Sequence, residues 1–395
     1  MSKTLFRYIE IFIMSLIFYY LNFEMVSMMR VKFDEATSNS SVFYFTTILF
    51  FLLLFLYFFR HNLNLRFQIL FSVCLFYIVL ITLLHLDRGD SVYHSFYLVV
   101  RLILPILLFQ NLFNAASYID SKTFNIYVVV GILYMLYNYN INYQYVIFNQ
   151  LFVEDEFRTS ANYIFLYLGP LLFLSNNKLI KYGSMIIVTV LLVTSLKRGG
   201  MICLGFGFIS YYIVNEMIQK KSDIISSDLK LGAIFIFFVI VAVYANEKMG
   251  GVIFERFASI LSDKGSGRDK VYKATFDLII NTDFTSFLFG HGWNSVVLKS
   301  KANLSAHNDL LEVLYDFGVF ALLLYLFVWI ELVKYFRSMI RRNSKYAPVM
   351  AFTIVSFLVN SMVAHVLLYP SYIASFAIVW GYIIGKDYQT KNYIK

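Results

Sequence analysis

Apolar runs near twenty residues recur along the whole chain, and no other feature restricts its fold as much. As a helix, such a run spans the hydrocarbon core of a bilayer. The composition agrees. The chain is 59% hydrophobic and 14% charged, whereas soluble domains carry about 45–50% apolar and about 25% charged residues. Its 42 Phe and 31 Tyr suit lipid-facing and interfacial positions.

We place spans at residues 8–23, 42–59, 67–86, 94–113, 123–137, 161–175, 182–196, 199–214, 231–245, 309–335, 347–369 and 371–385. The expected fold is an all-α integral membrane protein of about twelve transmembrane helices, one domain over residues 1–395. One polar segment, residues 246–308, interrupts the pattern between the ninth and tenth spans. The first residues, Met1 to Arg7, resemble the n-region of a signal peptide. No small-residue cleavage site follows, so this segment reads as a retained first span.

The formal charge is +9. A nucleic-acid partner would need a basic face on a soluble domain. Here the basic residues sit in the gaps between apolar runs, where they set topology. With the N-terminus inside, the cytoplasmic gaps hold Lys3, Arg7, Arg60, Arg66, Lys122, Lys178, Lys181, Lys220, Lys221, Lys230, Lys334, Arg337, Arg341, Arg342, Lys345, Lys386, Lys391 and Lys395. The short outer loops hold only Arg30, Lys32, Arg88, Arg158, Lys197 and Arg198. This bias puts both termini in the cytoplasm. It also puts residues 246–308 and the Lys197-Arg198 turn on one, outer, side. The two cysteines, Cys74 and Cys203, lie inside apolar runs and form neither a disulfide framework nor a metal-ligand spacing. Matching broken helices in two halves, as in many transporters, are not visible.

Chemistry in such a chain belongs to its polar segments. His307 precedes the tenth span in Ser305-Ala306-His307-Asn308-Asp309-Leu310-Leu311-Glu312. Asp309 and Glu312 have capping-box spacing, so a helix is expected to start there. Partial positive charge at a helix N-terminus disfavours protonated imidazole, and a neutral imidazole can take a proton from a sugar hydroxyl. The plainer alternative is an interfacial histidine without a role. Asp309, Glu312 and Asp316 fall at i, i+3 and i+7, one face of the first turns. Carboxylates are costly against lipid, so that face should line protein or a wet cavity.

Arginines are the second group. Arg198 lies in a tight turn followed by Gly199-Gly200, and a planar guanidinium suits bidentate phosphate contact. Arg101 lies inside the fourth span beside Pro105, a functional candidate by position unless it snorkels to the interface. Arg268 follows Gly265-Ser266-Gly267 and opens an expected helix over 269–280, with Ser266 as its cap. Arg158 precedes the sixth span. Together they suggest an anionic, phosphate-bearing substrate. Gly290-His291-Gly292-Trp293 reads as a turn with an interfacial Trp, and Glu154-Asp155-Glu156 as a solvated acidic loop. No Asp-x-Asp lies in the outer loops, and Walker, Ser–His–Asp and zinc-ligand spacings are missing.

Ser195-Leu196-Lys197-Arg198-Gly199 resembles the Ser-x-Arg-Gly turn of bacterial O-antigen polymerases and O-antigen ligases. Arg268 with Tyr272 and Ala274, then Gly290-His291-Gly292, is similar to their Arg-x-x-x-Trp stretch running to a Gly-x-Gly. Tyr272 stands where Trp is usual, and Lys197 is additional. His307-Asn308-Asp309-Leu310-Leu311-Glu312 with Gly318 closely resembles their His-Asn-x-x-Leu…Gly signature. These motifs cover residues 194–324; the first half matches in topology alone.

The resemblance implies a glycosyltransferase without metal or cofactor at the outer face of the bacterial inner membrane. Its partners would be undecaprenyl-diphosphate-linked glycans as donor and acceptor, the bilayer, and candidate chain-length regulator and flippase proteins. By position, Arg198 and Arg268 would hold the diphosphate and His307 would orient or deprotonate the acceptor. Arg101, Arg158, Lys197, Asn308, Glu312 and Asp316 would contact substrate. A polymerase of repeat units is favoured, with a ligase to lipid A–core or protein as the alternative. A lipid-linked oligosaccharide transporter is a third reading; it would need charge distributed through the spans, whereas here polar residues gather outside them.

Overall fold

A computed structural model of the chain describes residues 40–60, 66–85, 92–116, 163–193, 198–219, 268–300, 304–363 and 370–393, with isolated positions between them. The first expected span, Arg158, Lys197 and Gly265-Ser266-Gly267 lie outside the described residues, as do the side chain of Arg198, parts of the fifth span and most of the ninth. Among the described residues every regular element is a helix. In chain order these are α1 (Ser40–Arg60), α2 (Arg66–Leu84), α3 (Val92–Ala115), α4 (Tyr163–Leu172), α5 (Lys178–Val193) and α6 (Arg198–Gln219). They continue with α7 (Arg268–Ile280), α8 (Phe284–Phe289), α9 (Ser295–Lys299), α10 (Asp309–Arg341), α11 (Ala347–Val363) and α12 (Pro370–Tyr393).

Among the described residues, four stretches are long and apolar enough to cross a membrane: Arg66–Leu84, Leu98–Ala115, Gly199–Gln219 and Asp309–Arg341. Thr46–Leu56 and Ala347–Met362 are shorter apolar helices. Their outward faces stay apolar. Phe55, Phe76, Phe206 and Phe327 are exposed, as expected where the surrounding solvent is lipid.

The bundle's main seams follow from where small residues fall. Helix α12 lies closest to α3. A Cβ added to Gly381 would meet the Phe109 carbonyl at 2.5 Å, and one on Gly385 would meet the Phe113 carbonyl at 2.5 Å. Glycines four apart let two backbones touch, which replaces the hydrophobic drive that lipid does not supply. Helix α11 packs on α6 in the same manner, with Gly207 against Phe352 and Ser356. Between the seams, Trp329, Phe357, Phe376 and Trp380 interlock, their neighbouring rings 4.5–5.9 Å apart. The Trp380 indole N–H donates to Thr353 Oγ1 at 3.0 Å. The end of the bundle remote from the His307 turn is pinned by buried Asp387, which accepts from Tyr335 Oη and Arg342 Nη2, both at 2.8 Å.

Candidate functional site

At the opposite end, α10 begins with a side-chain cap. Asn308 Oδ1 accepts from the amides of Leu310 at 3.0 Å and Leu311 at 3.3 Å. The cap is therefore Asn308 and not Asp309, as the capping-box spacing had suggested. His307 stands one residue earlier, half-buried, with a left-handed backbone of φ 53°. Only a few per cent of non-glycine residues take such a φ, so its neighbours must hold it there.

The three carboxylates in the first turns of α10 turn inward as expected, with Asp309 at 0%, Glu312 at 2% and Asp316 at 0% exposure. Each faces the backbone of a different returning segment. Asp309 Oδ1 accepts from the amides of Val366 at 2.8 Å and Leu367 at 3.2 Å, just past α11. The amides of Ala306 and His307 face the Glu312 carboxylate without closing a well-formed hydrogen bond. Asp316 Oδ1 accepts from the Val296 amide at 3.0 Å, with the amides of Asn294 and Ser295 close by. It thus sits at the N-terminus of α9. Asp316 and Glu312, two of the expected substrate contacts, are both buried and turned toward amides.

Two turns into α10 the helix breaks at Gly318, where φ is 79° and ψ 178°. The break frees the carbonyls of Tyr315 and Asp316, and the Gly290-His291-Gly292 segment fills it. The His291 amide reaches the Tyr315 and Asp316 carbonyls at 3.2 and 3.0 Å, and the Gly292 amide reaches Asp316 at 2.8 Å. Gly290 and Gly318 meet backbone to backbone. A Cβ on Gly290 would strike the Asp316 carbonyl, and one on Gly318 would strike the Leu288 carbonyl. What reads in sequence as a weak turn is a plug for a broken helix. Two glycines before a possible kink were the available signal; their mutual contact was not legible.

Outside the bundle, a second small core of Val296, Ala306 and Tyr315, flanked by Leu278, Ile279 and Leu311, joins α7, α9 and the His307 turn. Helix α7 starts at Arg268, as expected to within a residue. It is tied to the end of α11 by Tyr272 Oη donating to the Met362 carbonyl at 3.0 Å. The half-exposed Arg268 guanidinium lies within electrostatic reach of Cys203, five residues beyond Arg198 on α6. Ser356 of α11 donates to the Cys203 carbonyl at 3.4 Å. The starts of α6, α7 and α10 and the end of α11 therefore meet at one end of the bundle. Arg101 of α3 lines a small cavity with Trp293, Phe317 and Leu367, which links it to the same end.

His291 lies outside the spans. Its pKa lies below the ordinary 6.5, from partial burial first and then the Lys299 charge, with Asp283 opposing and His85 adding. The ring packs against Tyr315, the two planes tilted by 38° and the centroids 4.4 Å apart.

No curated protein matches this chain. Residues 183–326 match the family model described as O-antigen ligase. That range covers α6, α7 and the broken start of α10, the three elements that carry the quoted motifs. Over this matched segment, about a third of the chain, the protein is similar to the family described as O-antigen ligase.

Proposed function

We propose that the protein polymerises polyprenyl-diphosphate-linked oligosaccharide repeat units at the outer face of the inner membrane. The convergence of the Arg198, Arg268 and His307 starts at one end of an apolar bundle carries this reading. An acceptor hydroxyl attacks the donor's anomeric carbon. The new glycosidic bond forms as the bond to the diphosphate oxygen breaks, and the hydroxyl proton passes to His307. Negative charge grows on the departing lipid diphosphate, where Arg198 and Arg268 stabilise it, and Arg101, Arg158 and Lys197 are further cations for the same role. Asn308 fixes the turn that presents His307. Glu312 and Asp316 move in this reading from substrate contact to support of that turn.

The family description favours a second reading, an O-antigen ligase that hands finished glycan to lipid A–core or another acceptor. A gel of surface glycan from a deletion strain separates the two. A single repeat unit on its normal anchor means polymerase; full-length polymer left on the lipid carrier means ligase. Unchanged surface glycan would remove both.

A further inference from the structure

Residues 290–299 are held in the break of α10 by a chain of side-chain contacts around His291. Lys299 Nζ lies 3.0 Å from His291 Nδ1, and Thr282 Oγ1 lies 3.3 Å from Nε2. The directions are forced, because an ammonium has no acceptor. Lys299 donates, so Nδ1 carries a lone pair and Nε2 carries the proton. Nε2 then donates to Thr282, whose own hydroxyl donates to the Leu278 carbonyl at 2.8 Å. The lock exists only with a neutral ring. A proton on Nδ1 would set two cationic donors face to face at the Lys299 contact.

Packing carries this state to the reacting end. The His291 ring packs against Tyr315, Tyr315 packs with Val296 and Ala306, and Ala306 precedes His307. We propose that His291 is a positioning residue: its neutral ring locks residues 290–299 into the broken helix and so holds the His307 turn, and acid opens the lock.

The charged groups around the ring set the direction. Lys299 on α9 and His85 past α2 oppose protonation, and Asp283 at the start of α8 favours it. Tyr315 and Asp316 on α10 complete the surroundings, with Asp316 fully buried and turned to the Val296 amide. The locked ring binds a proton less readily than an opened ring with the ordinary value of 6.5. As pH falls through that value the opened form gains protons first, so acidification favours opening and neutral pH favours the lock.

The lock stands apart from the transfer reading, on which only its effect on rate rests. The test uses the full chain in membranes. Val296→Cys places a thiol in the small outer core, and Leu298→Cys is an exposed control; native Cys74 and Cys203 are buried background. Labelling with a membrane-impermeant methanethiosulfonate is compared at about pH 5.5 and about pH 7.5, across the imidazole range. We expect the Val296-to-Leu298 labelling ratio to rise about threefold or more in acid, and to stay flat in His291→Gln. His291→Asn serves if His291→Gln does not insert. A flat ratio with His291 in place, or a rise that survives its replacement, overturns the proposal. In transfer assays, the acid fall of kcat should shift in His291→Gln while KM for the lipid-linked donor holds. Labelling that switches in a protein without transfer activity would keep the lock and sink the polymerase and ligase readings alone.

Discussion

Asp316 has no exposed surface and gives one oxygen to the Val296 amide, with two further amides beside it. Its Oδ1 meets amides at the start of α9 that have no partner within that helix. Asp316→Asn keeps one acceptor but puts an NH2 donor beside those amides, and we expect a loss of about 1–3 kcal/mol, the scale of an unsatisfied buried polar group. The readout is thermal melting in detergent; an unchanged midpoint would mean that those amides find other partners. His307 differs, since its half-buried ring belongs to a turn and not to the core. His307→Ala should lower glycan transfer by about 100-fold or more, the scale of general base catalysis, while the protein inserts normally. Long-chain glycan retained in cells carrying it would remove His307 from the mechanism. Arg198→Lys should fail too, because an ammonium cannot make the planar two-point contact with a phosphate. Normal chain length in that variant would reduce Arg198 to a topology signal.

Helix α10 has 33 residues, which is about 50 Å of helix against about 30 Å of hydrocarbon core. Its length alone requires that part of it stand beyond the lipid. The break at Gly318 separates the first turns, with their three carboxylates, from the apolar remainder. Kinks in long helices usually trace to proline or to inserted groups; here the inserted group is the Gly290-His291-Gly292 backbone. Gly318→Ala would add a strained positive φ, roughly 1–2 kcal/mol, to a direct backbone clash. Gly290→Ala meets the same obstruction from the other side. Since each glycine occupies the space the other needs, the double variant should destabilise less than the two single losses added together. Additive losses in melting temperature would show that the two backbones separate independently.

At the scale of the whole molecule, the candidate site, among the described residues, is an edge where several helices meet. Arg198 and Arg268 open helices, His307 precedes one, and α11 ends among them. The geometry therefore rests on seams elsewhere, above all α3 with α12 and α6 with α11. Gly381→Leu would drive a side chain into the Phe109 backbone. We expect it to abolish a monodisperse folded species, read by size-exclusion chromatography in detergent, although no candidate site residue is touched. A normal elution profile would mean that α12 can move off α3 without loss of the bundle.

Sequence alone determined the helical class and most helix positions, since a chain this apolar has no other way to satisfy its backbone in lipid. It also singled out His307, Arg198 and Arg268 as candidates, because polar residues next to apolar runs stand out, and it started α7 within one residue of its observed position. Burial of Asp309, Glu312 and Asp316 on one face followed from helical spacing. Their partners did not, because amides from residues 294–296, 306–307 and 366–367 come from three separate parts of the chain. The mutual fit of Gly290 and Gly318, the transfer of the cap to Asn308 and the lock around His291 were likewise tertiary decisions. Periodicity reports which side of a helix is apolar, but not which distant backbone arrives to meet the other side.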